Sequence, residues 1–231
     1  MLHLIRLELK KGKMSSHLWG SLIAYVIIAA FIALLYFIND IEIEEASFRN
    51  YTELFQAIDT FVRATFIIYS SVLLAKFIIN EYRDRTMSLM FTYPISRKKL
   101  IMAKLSMVFL FTFVNVIAGN LLIDALYIAI DTQIGKIQDI LTVELLSKHA
   151  INVLMQAIGA AGMSLIPIAF GMRKKSVSTT VVSSILIVLI VCSNNMGFSL
   201  SSIIAIPLTL AAIGILIAYF SFRNINQIDV G

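Results

Sequence analysis

Three groups of residues have types and spacings that chemistry could use. Glu44-Glu45-Ala46-Ser47-Phe48-Arg49 sets two adjacent carboxylates shortly before an arginine. In such a pattern a glutamate can activate water for hydrolysis, provided histidines from neighbouring helices complete the site. The histidines are His3, His17 and His149; none falls in the middle of an apolar run, and no F-x-x-x-H sequence accompanies them. Glu44 and Glu45 also lie in an acidic stretch between apolar runs, which favours a solvated loop over a hydrolytic centre. A second chemistry, cradling of nucleotide phosphates, needs G-x-x-x-x-G-K-S/T so that backbone amides and a lysine surround the phosphates. The only Gly-Lys pairs, Gly12-Lys13-Met14 and Gly135-Lys136-Ile137, do not fit it. The third group is Asn80-Glu81-Tyr82-Arg83-Asp84-Arg85-Thr86, followed by Tyr93-Pro94-Ile95-Ser96-Arg97-Lys98-Lys99 and Lys104. Its mixed charges suit docking through charge-assisted hydrogen bonds rather than bond making.

The elements that must hold these groups are membrane spans. Hydrophobic residues make up 59% of the 231 residues and charged residues 14%, and the mean hydropathy is +0.88, too apolar for a water-soluble globule. The net charge of +5 comes from basic residues flanking apolar runs, so membrane topology explains it and nucleic acid does not. A lone cysteine, Cys192, excludes an internal disulfide and a cysteine-rich metal site. A span needs about 20 apolar residues, which predicts an all-helical integral membrane protein with spans near 18–38, 59–79, 101–130, 150–171, 176–193 and 200–222. The first is expected to be retained rather than cleaved as a signal peptide. Residues 1–231 form one transmembrane domain on this reading. The polar stretch 194–207, closed by Pro207, is open to a re-entrant turn followed by a shorter last helix.

Fifteen of the nineteen lysines and arginines fall in the N-terminal arm, the segment 76–104, the run Arg173-Lys174-Lys175 and Arg223. That bias puts both termini in the cytoplasm. The opposite loops are acidic, with Asp59 assigned to the first and Asp131 to the second.

At 3.6 residues per turn Arg6, Lys10, Lys13 and His17 share one stripe beside Leu2, Ile5 and Leu9. Residues 1–17 therefore read as an interfacial helix lying on lipid headgroups, or as a disordered topogenic arm. Met87, Met90 and Phe91 recur at helical spacing, Pro94 stops that helix and Ser96 can cap the next. The segment 80–100 thus reads as a coupling loop holding a short helix parallel to the membrane, against the alternative of a solvated loop that only sets topology.

Polar groups inside spans are costly, about 2.5–3.5 kcal/mol for a charge at a helix centre. Arg63, Asn120, Asp124, Asn152 and Gln156 are candidates for a translocation path or for helix packing, as are Ser70, Ser71, Thr180 and Ser184. Packing is the preferred reading for most of them. Arg63 and Asp124 are placed near the outer interface, with a pairing between them as the expectation.

The charged segment and its flanks resemble the permease subunits of ABC-2 type transporters. In that family a glutamate ends the second span, a Gly-Thr pair and leucines follow, then a Pro-Ile-Ser-Arg-like turn and a lysine early in the third span. Glu81, Thr86, Leu89, Pro94-Ile95-Ser96-Arg97 and Lys104 match; Arg85 stands where glycine is usual, so the family's tight turn is not carried over. The resemblance implies a bacterial cytoplasmic-membrane subunit that binds no cofactor itself. ATP and magnesium belong to separate cytoplasmic ATPase subunits, and a second permease copy or a paralogue completes a dimer. ATPase coupling is expected at Glu81, Tyr82, Arg83, Asp84, Arg85 and Thr86, with Arg173, Lys174 and Lys175 as further contacts. Similar compact permeases export antimicrobial and cytolytic peptides, including phenol-soluble modulins, so an amphipathic peptide is the expected cargo. Two other classes stand beside this one. The Glu44–Arg49 pattern is similar to glutamate-type intramembrane proteases, and a non-transporting membrane anchor for a cytoplasmic partner fits the same docking segment.

Overall fold

A computed structural model describes residues 14–38, 48, 50–83, 97–137, 139–174, 176–192, 194–195, 198–199 and 205–222. Helix α1 spans Met14–Ile38 and α2 Tyr51–Leu74. The rod of α2 continues through a π-helical turn, Ala75–Ile79, into the single turn α3, Asn80–Arg83. Helix α4 covers Arg97–Ile134, α5 Val143–Met163, α6 Pro167–Lys174, α7 Val177–Cys192 and α8 Ala205–Phe222. A two-stranded antiparallel ladder pairs β1, Asn194–Asn195, with β2, Phe198–Ser199.

The protein is helical, as expected, and among the described residues four helices are long and apolar enough to cross a membrane: Ser16–Phe37, Tyr51–Ile79, Lys99–Ile134 and Val143–Lys174. Two shorter apolar helices, Val177–Cys192 and Ile206–Phe222, follow. The first span thus joins residues 14–17 in one helix, whereas most of the interfacial helix expected over 1–17 lies outside the described residues. The coupling loop expected over 80–100 is described only at its two ends.

Helix α2 starts at Tyr51, eight residues before the expected boundary, where the Asn50 carbonyl accepts the Glu53 and Leu54 N–H groups, and Asp59 and Arg63 pair across a turn inside it at 3.4 Å. The fourth expected span, 150–171, is broken at Pro167. Proline has no N–H to give to the carbonyl four residues back, and that carbonyl, Met163 O, instead accepts the Ile166 N–H at 3.1 Å. Pro167 then opens α6, the first-turn position where a missing donor is harmless. The stretch left open at 194–207 holds the β1–β2 ladder, and α8 begins at Ala205, two residues before Pro207.

Helix α2 is central, packing on α4, α5 and α7, while α8 lies along α5. The core is built around Phe55, Ile58, Val62, Phe66, Ile67 and Leu74 of α2, all essentially without exposure. Helix α1 is peripheral and turns Leu22, Ile23, Val26 and Ile27 outward, as befits a helix whose solvent is lipid. Small hydroxyls stitch the interior: Ser70 meets Thr112 at 2.5 Å and Ser184 donates to Ser71 at 2.9 Å. The serines set aside as a possible path therefore pack α2 against α4 and α7.

At one end of the bundle the Asp131 carboxylate accepts four bonds, from Tyr36 Oη at 2.6 Å, Tyr51 Oη at 2.5 Å, Lys136 N at 3.2 Å and Ile137 N at 3.1 Å. Gly135 supplies the left-handed φ of 66° that turns the chain back for the last two. Asp131 was expected in a solvated loop. It sits instead in the last turn of α4, 2% exposed, and ties the ends of α1, α2 and α4 together.

Candidate functional site

The end of the bundle opposite Asp131 carries the expected docking group. In a π turn each N–H reaches five residues back, here Asn80 N to Ala75 O. The widened turn turns carbonyls away from regular helical partners, and the Phe77 carbonyl accepts the Lys104 ammonium at 3.0 Å. Lys104 is fully buried, and its ammonium also bonds and ion-pairs with the Glu81 carboxylate. Glu81, half-buried on α3, is thus joined to α4 through one lysine. Moving Glu81 away would leave the buried lysine without its carboxylate partner.

The same end gathers two other elements. A Cβ on Gly171 of α6 would fall 2.1 Å from Thr180 Oγ1 and 3.0 Å from Ile79 Cδ1, so α6 lies directly against α7 and the π turn. Arg173 and Lys174, exposed in the last turn of α6, are thereby held on the side of the molecule that carries Glu81. Near the start of α1, His17 meets Tyr69 Oη at 3.2 Å through Nδ1 and Lys76 Nζ at 3.1 Å through Nε2. His17 is 9% exposed, which corrects its place on an outward basic stripe: its ring fills the gap between α1 and α2, edge-on to Phe77. Tyr82 and Arg83 fall on α3, while Asp84, Arg85, Thr86 and Lys175 lie outside the described residues, as do Arg6, Lys10, Lys13, Glu44 and Glu45.

The polar residues of the spans form a second group deep in the bundle. Arg63 is 1% exposed, twelve residues or about 18 Å along α2 from Tyr51. It donates through Nη1 to Gln156 Oε1 of α5 and pairs with Asp59. The Cys192 thiol, at the end of α7, lies beside the same guanidinium. Asp124 of α4 pairs with His149 of α5 at 2.8 Å, not with Arg63. Asn120, one turn from Asp124, is fully buried beside Asp59 and donates to Val116 O at 2.9 Å. The expected Arg63–Asp124 pairing is therefore replaced by two pairs in one cluster, inside the bundle rather than at its rim.

Asn152 does not enter this cluster; it is exposed and lines an open cavity of about 700 Å³ between α2 and α5, with Gln56, Lys148 and His149. Phe55 stacks on the His149 ring at 4.4 Å, and both line the cavity. Asp59 and His149 escaped the sequence reading as members of this site. The i, i+4 spacing of Asp59 and Arg63 is the signal that reveals the first; nothing local reveals the second, because its partner is twenty-five residues away on another helix.

The chain is 43% identical over 228 residues to the "Uncharacterized protein YcbO" of Bacillus subtilis (strain 168), covering 99% of this chain and 100% of that one. No solved structure matches it. Residues 4–192, from the N-terminal arm through α7, match the family described as "ABC-2 family transporter protein". With apolar helices that cross a membrane several times and a charged end built around Glu81 and Lys104, this multi-pass chain belongs to the ABC-2 family of transporter membrane proteins.

Proposed function

We propose that the chain is the membrane subunit of an ATP-driven exporter in the bacterial cytoplasmic membrane. It crosses the bilayer six times with both termini in the cytoplasm, α7 and α8 adding the two shorter crossings. It works as a dimer, with itself or a paralogue, together with cytoplasmic ATPase subunits that carry the ATP and magnesium. The observation that supports coupling at Glu81 is the buried Lys104, which joins α3, the π turn and α4 at one point. A motor that grips the segment Glu81–Thr86 and the Arg173–Lys175 run moves α2 and α4 together. Its differential affinity for the two states of the permease supplies the work.

The cargo proposed is an amphipathic peptide taken from the membrane. Supporting this are the scarcity of fixed charge in the spans and an open cavity whose lining mixes Phe55, Leu145 and Ile151 with Gln56, Asn152 and Lys148. The coupling half of the reading is tested by a cysteine at Arg173 in a Cys192→Ser background, cross-linked in native membranes with a short bifunctional reagent. Capture of an ATPase subunit is the expected result. A cross-link pattern holding lipid or the chain itself but no ATPase would sink it.

A further inference from the structure

The Asp59, Arg63, Asp124 and His149 cluster has a charge count that its surroundings do not tolerate. Two carboxylates face one guanidinium, so with a neutral imidazole the group carries a net negative charge. Helix α2 brings Asp59 and Arg63, α4 brings Asn120 and Asp124, α5 brings His149 and Gln156, and α7 brings Cys192. Helix α8, against the far side of α5, has no charged residue. Glu144 and Lys148, which line the cavity with His149, pair with each other at 2.6 Å on the exposed face. No cation among the described residues therefore balances the second carboxylate, and an unbalanced charge at membrane depth is strongly disfavoured.

A second observation points to what does balance it. Asp124 is 7% exposed and Asn120 has no exposure, yet Oδ1 of each, and Oδ1 of Asp59, is buried without a hydrogen-bond donor, while Arg63 Nε is the one buried donor of the cluster without an acceptor. Buried acceptors are normally satisfied, so three such oxygens against a single unused N–H leave the cluster short of donor hydrogens. A metal ion is the poorer fit, because among the described residues no three His, Cys, Asp or Glu side chains converge as a ligand set. A proton fits the charge deficit, and where it sits on a carboxyl oxygen it also turns an acceptor into a donor.

A route to the cluster also exists. His149 lines the open cavity and, through Nε2, contacts Asp124 Oδ2 at 2.8 Å, so one ring touches both solvent and the buried carboxylate. An imidazole protonated from the cavity side presents Nε2–H to Asp124 as an ion pair, and the proton can be shared along that contact.

We propose that this cluster is a proton-binding site, holding one exchangeable proton on the Asp124–His149 pair and filled through the cavity. The site does not depend on the transport reading: it follows from the residues packed inside the bundle, and its test needs no partner or cargo.

The test uses the full-length protein in lipid nanodiscs at neutral pH. Nitrogen-15 NMR of labelled histidine, assigned with His149→Gln, reads the imidazole, and infrared spectroscopy reads any protonated carboxyl group. The wild type is expected to show one proton, as a His149 imidazolium or as a carboxylic acid band that Asp124→Asn removes. Asp59→Asn leaves one carboxylate for one guanidinium and is expected to abolish both signals. Arg63→Gln is expected to hold two protons. A neutral His149 with no carboxylic acid band in the wild type overturns the proposal, as does an Asp59→Asn protein that keeps the proton. The wild-type spectra decide even if a variant fails to insert.

Discussion

Lys104 reaches from α4 to the carbonyl of Phe77, 3.0 Å away, in the middle of the π turn that interrupts the second span. The irregular turn and the buried lysine explain each other. The turn offers a carbonyl to a side chain from α4, and the lysine needs acceptors where water is excluded. The Glu81 carboxylate completes the arrangement at the foot of the same helix.

The first prediction is a coupling between Lys104 and Glu81. In a double-mutant cycle of Lys104→Met and Glu81→Gln, thermal unfolding in mild detergent should give an interaction energy of about 1–3 kcal/mol. The lysine is fully buried while Glu81 keeps 20% of its side-chain exposure, so the lower half of that range is expected. Additive effects of the two substitutions would show that the pair is not energetically joined.

Asp131 should be the most sensitive position at the other end. Asp131→Ala removes the acceptor for two tyrosine hydroxyls and two backbone amides, and should cost about 3 kcal/mol or more, since each buried donor left unmatched costs about 1–3 kcal/mol. Tyr36→Phe and Tyr51→Phe remove one donor each and should cost about 1 kcal/mol. Hydrogen exchange at the ends of α1, α2 and α4 checks this: unchanged protection in Asp131→Ala would contradict it.

The contact of α5 with α8 has no room for a methyl group. A Cβ on Gly162 would lie 2.4 Å from Ala211 Cα, and one on Gly214 would lie 2.2 Å from Gly162 O. Both obstacles are backbone or nearly so and cannot swing aside. Gly162→Ala and Gly214→Ala should each lower stability by about 1–3 kcal/mol through overpacking. A wild-type melting temperature in either would mean that the two helices are not in close contact.

Orientation has a direct test because Cys192 is the lone cysteine. In a Cys192→Ser background, a cysteine at Asn152, exposed in the cavity, should react with an impermeant thiol reagent applied to intact cells. A cysteine at Lys174 should react only after permeabilisation. The reverse pattern would invert the proposed topology.

Hydropathy made the rods legible, since long apolar runs have few alternatives in lipid. It misjudged them where charge or proline intervened. Glu53 and Asp59 made the first two turns of α2 read as loop, because a linear scan sees two carboxylates and not that Asp59 is neutralised by Arg63 across a turn. Pro167 ended α5 within an apolar run that hydropathy alone continues. Glu81 and Lys104 stood out through the family resemblance, at the two flanks of the loop. Their meeting at Phe77 was not, because it depends on a π turn that no composition announces. The pairing of Asp124 with His149 was illegible for the same kind of reason: partners on different helices are fixed by packing, not by spacing.

The central claim is that a separate ATPase drives this chain through Glu81. The most direct measurement is ATP hydrolysis by material co-purified with the tagged chain from gently solubilised native membranes, comparing wild type with Glu81→Lys and Arg83→Glu. The account predicts that an ATPase subunit co-purifies, that its turnover responds to the permease, and that charge reversal at Glu81 abolishes that response while the Asp131 end keeps its hydrogen-exchange protection. Retention of no ATPase even after mild cross-linking, or turnover indifferent to both charge reversals, would contradict it.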